Sequence, residues 1–272
     1  MKRDEAKKLA DNALKDLQQA LKAGRSEALE RYLDVMSRFH KYSWNNCMLI
    51  AVQMPEATHV AGFRNWLKLG RHVRKGEKGI AIFAPLRFRK KSDDPDEEAV
   101  NGISGFKVVH VFDVSQTEGE DLAEFAQISG DPGNLLRRLE DVVQTSDIGL
   151  SYEELPFGTK GVSRKGAIAI AEGLTEAERF AVLAHELAHE WLHDHDRRKE
   201  ASTTVLETEA EAVAYVVCRS QGLDCSTRSS DYIQLYRGDA EVLAQSLEQI
   251  QKVAARMLDA LASDPKDEEV AA

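Results

Sequence analysis

The sequence predicts an α+β protein of two domains, and three observations support this. Apolar residues recur every three or four positions from Asp4 to about Phe39, which is typical of helices. Two later segments, 79–88 and 106–113, are rich in β-branched and aromatic residues and indicate strands. The polar segment 115–133 contains three glycines and a proline and marks a boundary. We therefore expect one domain at residues 1–125 and another at 134–262.

The first domain is expected to consist of three helices followed by a small antiparallel sheet. Gly24 and Ser26 separate the first helix from the second. The third helix begins near Ser43 and is stopped by Pro55. The two strands lie on either side of an acidic segment, residues 92–98, which we expect to be an exposed hairpin loop.

The second domain is expected to begin with a helix at about 134–146 and a hairpin over 161–171. A capping box from Thr175 to Glu178 marks the start of a long helix. Further helices are expected at about 203–221, where Gly222 ends the helix, and at about 239–262. The charged tail, residues 263–272, is expected to be disordered.

The composition argues against membrane and disulfide-rich classes of protein. No run of 18 or more apolar residues is present, so we expect no membrane-spanning helix and no membrane partner. The first 17 residues are charged throughout and lack the apolar stretch of a signal peptide. Three cysteines are too few and too scattered for a disulfide framework, so the expected location is the reducing cytoplasm.

Residues 185–189, His-Glu-Leu-Ala-His, predict a zinc site. His185 and His189 are four residues apart in the predicted long helix, so both imidazoles lie on one face and can bind one ion. Glu186 is expected to act as the general base on a water molecule that zinc activates at neutral pH. The apolar flanking residues favour a buried active-site helix over an ordinary helix with two surface histidines.

A third ligand is expected from the next helix, in the sequence Glu207-Thr-Glu-Ala-Glu211. Glu207 and Glu211 share one helix face, whereas Glu209 lies about 200° around the helix axis from Glu207. We assign Glu207 as the ligand and Glu211 as the residue that orients a ligand histidine. The reverse assignment and Glu209 as the ligand both stay open, and His193 is a lesser candidate for metal binding.

The net charge of −10 conceals one strongly basic segment. Between Arg38 and Lys91 the sequence has twelve lysines and arginines and only two acidic residues, Glu56 and Glu77. Cations follow a phosphate backbone and aromatic faces stack on unpaired bases, so this mixture predicts a single-stranded nucleic-acid site. The alternative is a basic face that balances acidic neighbours, with the aromatic residues in the core. The candidate binding residues are Tyr42, Trp44, Asn45, Arg64, Trp66, Lys68, Arg71, Arg74, Lys75 and Lys78.

Several strings resemble the N-terminal domain of ArdC-type antirestriction proteins: Tyr42-Ser-Trp-Asn-Asn, Val60-Ala-Gly-Phe, Leu69-Gly-Arg, Val73-Arg-Lys-Gly-Glu-Lys-Gly-Ile and Val111-Phe-Asp-Val-Ser-Gln-Thr. The histidine and glutamate motifs are similar to their zincin-like domain, which is related to ImmA/IrrE metallopeptidases. The resemblance covers most of residues 30–235. It implies a single-stranded-DNA-binding domain joined to a zinc metallopeptidase-like domain, in a protein of mobile elements that protects DNA arriving by conjugation from host restriction.

We therefore expect an antirestriction-type protein that binds single-stranded DNA and hydrolyses a peptide bond of an unknown protein substrate with water activated by zinc. The first alternative is a protective single-stranded-DNA-binding protein whose zinc site is structural or inactive. The second is a regulator that cleaves or sequesters a repressor. For a peptidase, Tyr232 is a candidate for stabilising the oxyanion, and the edge of strand 167–171 is a candidate for binding the peptide.

Overall fold

The computed structural model describes residues 1–90, 100–119, 132–156, 158–193, 202–223 and 240–262. Helices are combined with small, mostly antiparallel sheets, which confirms the predicted α+β class. The chain divides into two compact units, the first formed by residues 1–15 and 45–123 and the second by residues 16–44 and 124–272. The domain limits 1–125 and 134–262 stay a prediction. The units differ from them in placing residues 16–44 with the second half of the chain.

Among the described residues up to 119 there are four α-helices, a short 3-10 helix (Val114–Gln116) and five strands. The α-helices and strands are α1 (Arg3–Lys22), α2 (Glu27–Arg38), α3 (Trp44–Gln53), β1 (Val60–Gly62), α4 (Phe63–Lys68), β2 (Arg71–Val73), β3 (Ile80–Lys90), β4 (Val100–Asp113) and β5 (Thr117–Gly119). The two predicted strands are present as β3 and β4, whereas β1, α4, β2 and β5 were not expected. Their three to six residues are too few to produce a recognisable hydrophobic period. The acidic segment 92–98 lies outside the described residues.

The first unit is built on an antiparallel sheet in the order β1-β4-β3, and β2 pairs separately with β5. Helix α3 protects the free edge of β3. Its Asn46 side chain accepts from Phe83 N and donates to Phe83 O, and its Gln53 side chain does the same with Ala81. These four hydrogen bonds satisfy backbone groups that an edge strand would otherwise expose.

The later elements are α5 (Pro132–Thr145), β6 (Gly149–Glu153), β7 (Gly161–Ser163), β8 (Ala167–Ala171), α6 (Glu176–Leu192), α7 (Thr203–Ser220) and α8 (Ala240–Ala262). In their sheet β8 is the central strand, parallel to β6 and antiparallel to β7. The expectation that strand 167–171 has a free edge is therefore wrong, because β6 and β7 occupy both of its edges. Strand β7 is an outer strand of the described sheet, and its Gly161 lies against α6.

The core of the second unit lies between its helices. Fully buried apolar residues come from α5, α6, α7 and α8, among them Leu139, Leu183, Val213 and Leu247. Helix α2 packs on α7 in the same unit, where Tyr215 Oη donates to Asp34 Oδ1 at 2.9 Å. In the described part of the chain, no helix has the length and apolar character needed to cross a membrane. The tail 263–272 lies outside the described residues.

Candidate functional site

Helix α6 begins with the capping box that the sequence predicts. Thr175 Oγ1 accepts from Glu178 N at 3.3 Å, and Glu178 Oε2 accepts from Thr175 N at 3.0 Å. These bonds satisfy backbone donors of the first turn and fix where the helix starts. The helix runs unbroken to Leu192, so His185 and His189 lie one turn apart on the same face.

The structure brings His185, His189 and Glu207 together in one cluster. The two histidine Nε2 atoms are 3.0 Å apart, and the Glu207 carboxylate oxygens lie 3.4 Å from His185 Nε2 and 3.5 Å from His189 Nε2. Donor atoms at 2.0–2.1 Å from a tetrahedral zinc ion are separated from one another by about 3.3 Å. The three side chains therefore fit a divalent metal ion without rearrangement of the helices.

The electrostatics of this cluster favour a positive charge between the side chains. Burial of His185 on its own disfavours the charged ring, but the Glu207 and Glu211 carboxylates outweigh it and raise the pKa of His185 to about 9. The two histidines in turn hold the pKa of Glu207 well below its usual range. Glu211 Oε2 lies 3.4 Å from His185 Nδ1, where a carboxylate can orient a ligand imidazole.

Glu186 lies beside the cluster and is buried. Burial raises the pKa of its carboxyl group above the usual value, although the nearby His185 and His189 oppose this. The backbone N–H of Ser163 donates to the carboxylate. A Cβ atom on Gly161 would approach Glu186 Cγ to 2.9 Å and Val182 Cγ1 to 2.5 Å. Strand β7 therefore lies directly against the face of α6 that carries Glu186, and only glycine permits this approach.

Two adjoining cavities open at the cluster, and both are lined by Gly161, His185, Glu186 and Glu207. The smaller, of about 270 Å³, also contacts His189 and the rest of β7. The larger, of about 500 Å³, extends along α6 and α7. Its uncharged lining residues include Ala177, Ala181, Val182, Ala214, Tyr215 and Leu223. The arrangement combines metal-ligand donors, a buried carboxylate and a cavity lined by both apolar and charged side chains.

The other candidates from the second half lie elsewhere. Glu209 is only 1% exposed and accepts a hydrogen bond from His193 Nε2 at 3.2 Å, so it is directed away from the three-residue cluster. His193 is also buried and contacts the Nδ1 side of His189, opposite the Nε2 atom that faces the cluster. Tyr232 lies outside the described residues.

The candidate nucleic-acid residues do not form one set of exposed side chains. Trp66 is 2% exposed and its indole N–H donates to Phe112 O at 2.9 Å, so it is a core residue and the stacking role assigned to it is wrong. Arg71 donates to Thr117 Oγ1, and Arg74 donates to Glu77 and to Ser115 O. These two arginines hold the β2–β5 region together. Four candidate cations of the same unit, Arg64, Lys68, Lys75 and Lys78, are exposed, and Arg74 is exposed as well although it makes these bonds.

Three further candidates lie where the chain passes from the second unit to the first, at residues 44 and 45. Asn45 belongs to the first unit and is half-buried. Tyr42 and Trp44 belong to the second unit and are also half-buried. Their carbonyl oxygens accept hydrogen bonds inside that unit, from Gln251 Nε2 and Tyr32 Oη respectively. Their backbone positions therefore serve packing of the second unit.

The sequence analysis missed the apolar side chains exposed on and after α4. Phe63 is 49% exposed, Leu67 is 42% exposed and Leu69 is 43% exposed. Exposed Arg64 and Lys68 each directly follow one of the first two. This alternation of apolar and basic residues over one short helix is visible in the sequence, but the sequence alone does not show that Phe63 is exposed and Trp66 buried.

Comparisons with known proteins give a different match for each half of the chain. Residues 3–112 match the model of the N-terminal domain of the anti-restriction factor ArdC. Residues 141–257 match the model of the IrrE N-terminal-like domain, a peptidase family. An uncharacterized protein of Bacillus anthracis is 24% identical over 294 residues, which include 92% of this chain and 50% of that protein. The chain thus spans about half the length of this curated relative.

Two crystal structures of the antirestriction protein ArdC from the R388 plasmid have a similar fold. The metal-free form aligns with a TM-score of 0.51 and 19% identity, over 80% of this chain and 84% of ArdC. The Mn(II)-bound form aligns with a TM-score of 0.54 and 17% identity, over 94% of this chain and 98% of ArdC. These matches support an ArdC-type two-domain architecture, in which a region similar to the ArdC N-terminal domain is followed by an IrrE-like domain of a peptidase family.

Proposed function

We propose that the second unit is a zinc-dependent peptide hydrolase and that the protein also binds single-stranded DNA. The observation that carries the hydrolase proposal is the spacing of the His185, His189 and Glu207 donor atoms at 3.0–3.5 Å, next to the buried carboxylate of Glu186. Two imidazoles and one carboxylate are a donor set typical of catalytic zinc, in which one coordination position is left for water or substrate. The Mn(II) form of the R388 ArdC protein supports a divalent ion in this fold.

Each side chain has a separate task in this proposal. His185, His189 and Glu207 hold the ion, which when bound supplies Lewis-acid activation of water and of the peptide carbonyl group. Glu186 accepts the proton of the attacking water and can return it to the leaving amine. Its raised pKa suits this task, because a carboxylate of higher pKa is a stronger base and the carboxyl group holds the proton more readily until it is returned.

Strand β7 is the element that we propose to bind the substrate backbone. The neighbouring residues Lys160 and Arg164 make their hydrogen bonds to β8, and the alternation of an antiparallel pair directs the backbone groups of Gly161 and Ser163 the opposite way. Ser163 N–H already bonds Glu186, so we propose that the backbone of Gly161 makes the contact with an extended peptide. The cavity lined by Ala181, Val182 and Tyr215 fits an uncharged substrate side chain.

The exposed α4 residues are where we propose that DNA contacts the first unit. Phe63 offers a ring for stacking on an unpaired base, and Arg64 and Lys68 lie beside it for phosphate contacts. Lys75 and Lys78 extend the set of exposed cations along the chain. The match to the ArdC N-terminal domain supports DNA binding by this part of the chain. Phe63 replaces the buried Trp66 in the aromatic role.

The hydrolase proposal is tested with Glu186→Gln in cells that restrict incoming unmodified plasmid DNA. We expect the variant to retain zinc but to lose protection of the incoming plasmid DNA. Any new protein N-termini that the wild type generates by cleavage should be absent in cells with the variant. Glu176→Gln, an acidic residue in the first turn of the same helix, is the matched control. Protection by Glu186→Gln equal to that of the wild type would favour the alternative, a DNA-binding protein with a structural metal site.

The DNA proposal is tested by fluorescence anisotropy with oligo(dT) and a duplex of the same length, at several salt concentrations. We expect preference for the single strand and weaker binding as salt rises. Stacking of one base contributes about 1–3 kcal/mol, so Phe63→Ala is expected to weaken binding about 5- to 150-fold. Phe106→Ala, at 47% exposure, is the matched control. An equal loss of DNA affinity in both variants would contradict the assignment of the binding site to α4.

A further inference from the structure

Behind the proposed metal site, a chain of buried polar side chains leads away from His189. His189 Nδ1 lies 3.0 Å from His193 Nδ1, and His193 Nε2 lies 3.2 Å from Glu209 Oε2. Ser246 Oγ donates to Glu209 Oε1 at 2.6 Å. The last three residues are 3%, 1% and 0% exposed. Helices α6, α7 and α8 therefore meet in a hydrogen-bonded series that ends at a proposed metal ligand.

The direction of every hydrogen bond in this series follows from the position of the metal ligand atom. When His189 Nε2 holds an ion, its Nδ1 must carry the proton and donate to His193 Nδ1. His193 then carries its own proton on Nε2 and donates it to Glu209. Glu209, as an ionised carboxylate, accepts from both His193 and Ser246. No donor faces a donor, and no acceptor faces an acceptor.

We propose that His193, Glu209 and Ser246 are positioning residues that fix the tautomer and ring orientation of His189 for metal binding, an inference that rests on the proposed metal site. A carboxylate that orients a ligand histidine is usually bonded to it directly. Here Glu209 acts through a second imidazole. The two proposed ligand histidines thus have different neighbours. His185 lies beside the Glu211 carboxylate, whose side chain is 28% exposed, whereas His189 lies beside the buried imidazole of His193.

The cost of burying these groups supports a functional role. A carboxylate removed from water is strongly unfavourable unless it is hydrogen-bonded, and apolar side chains of similar size would fill the same space at lower cost. His193 is the residue at which α6 ends, and its N–H still donates to His189 O at 3.2 Å. Backbone and side chain of His193 therefore both hold the helix turn that carries His189.

The test is the zinc affinity of the full-length protein, measured by competition with a chromophoric chelator. Removal of a partner that orients a metal ligand typically weakens binding about 10- to 100-fold, and we expect this for Glu209→Gln and His193→Leu. Thr208→Val is the matched control, because Thr208 is buried beside Glu209 and donates to Thr204 O, outside the series. Cobalt substitution supplies a second readout, since the visible spectrum reports a change in ligand geometry that a purely structural role would not produce.

The outcomes separate this inference from the proposed function. If the wild type binds no zinc, the metal site itself is refuted. If the wild type and Thr208→Val bind zinc and Glu209→Gln binds it equally well with an unchanged cobalt spectrum, the positioning role is refuted. Should Glu209→Gln fail to fold, Ser246→Ala decides, because it removes only the outermost hydrogen bond. An unchanged zinc affinity and cobalt spectrum in folded Ser246→Ala would then refute the role.

Discussion

Asp113 at the end of β4 is the polar residue whose replacement we expect to be most damaging to the first unit. It is 1% exposed, and its Oδ2 accepts from Thr58 N at 2.7 Å and from His59 N at 3.0 Å, while Oδ1 accepts from Ser115 N at 2.9 Å. In Asp113→Asn one carboxylate oxygen becomes an amide nitrogen, which faces Thr58 N and His59 N in one orientation and Ser115 N in the other. Each hydrogen bond to a charged group contributes about 1.5–3 kcal/mol, so the loss of one or two is expected to cost about 1.5–6 kcal/mol.

The pH dependence gives this prediction a second measurable sign. Burial alone raises the pKa of Asp113, but the hydrogen bonds from Ser115, Thr58 and His59 outweigh it and leave the pKa below the usual value. A lowered folded-state pKa means that the stabilisation is fully present above pH of about 4 and is lost as the pH falls through the folded pKa. The difference in stability between wild type and Asp113→Asn should therefore be constant near neutrality and shrink in acid.

The assay is urea unfolding at several pH values, combined with hydrogen exchange of the Thr58 and His59 amides. Exchange should become faster at both amides in the variant, because their acceptor is no longer a charged carboxylate oxygen. Glu118→Gln, an exposed acidic residue of the same unit, should change neither quantity. A loss of less than about 1 kcal/mol in Asp113→Asn, or exchange rates equal to the wild type, would refute the reasoning.

Three further predictions concern packing, hairpin position and thiol reactivity. Gly161→Ala should destabilise the second unit by about 1–3 kcal/mol in calorimetry, because the new Cβ overlaps Glu186 and Val182. Gly149→Ala in the same sheet meets only contacts of 3.7 Å or more and should be much milder. Glu190→Gln should speed exchange of the Gly166 amide, since Glu190 accepts from that amide and from Ser163 Oγ; unchanged exchange would contradict this. Cys47 should escape iodoacetamide at pH 8 in native protein and react after denaturation, as seen by mass spectrometry, because burial raises its pKa to about 12.

Local periodicity explains which parts of the fold could be predicted. The longer helices follow three- and four-residue apolar spacing, and the capping box at Thr175 and Glu178 is contained within four residues. Strand pairing is different, because β8 lies between β6 and β7 through hydrogen bonds that the alternation of side chains does not encode. Each strand of this sheet has only three to five residues, so its neighbours are set by packing against the helices.

The basic segment shows why composition alone does not locate a binding surface. The number of charged and aromatic residues in a segment does not show which of them are buried. Trp66 and Phe63 are three residues apart and carry rings of similar chemistry. Only the tertiary structure places the Trp66 indole against Phe112 O and leaves Phe63 in solvent. The same holds for Arg74, which is exposed but has its guanidinium engaged by Glu77 and Ser115 O.

The three acids of α7 show where sequence reasoning ends and why. Helix geometry alone separates Glu209 from Glu207 by about 200°, so an α7 that turns Glu207 toward the cavity must turn Glu209 toward the helix core. A carboxylate in a core must be hydrogen-bonded to be tolerated. Its partners, His193 and Ser246, lie 16 and 37 residues away in the chain, on two other helical segments. The angle is a local property that the spacing of the glutamates contains, whereas the partners arise only when α6 and α8 pack on α7. Of the three acids, Glu209 is therefore the one whose proposed role depends most on the packing of the three helices.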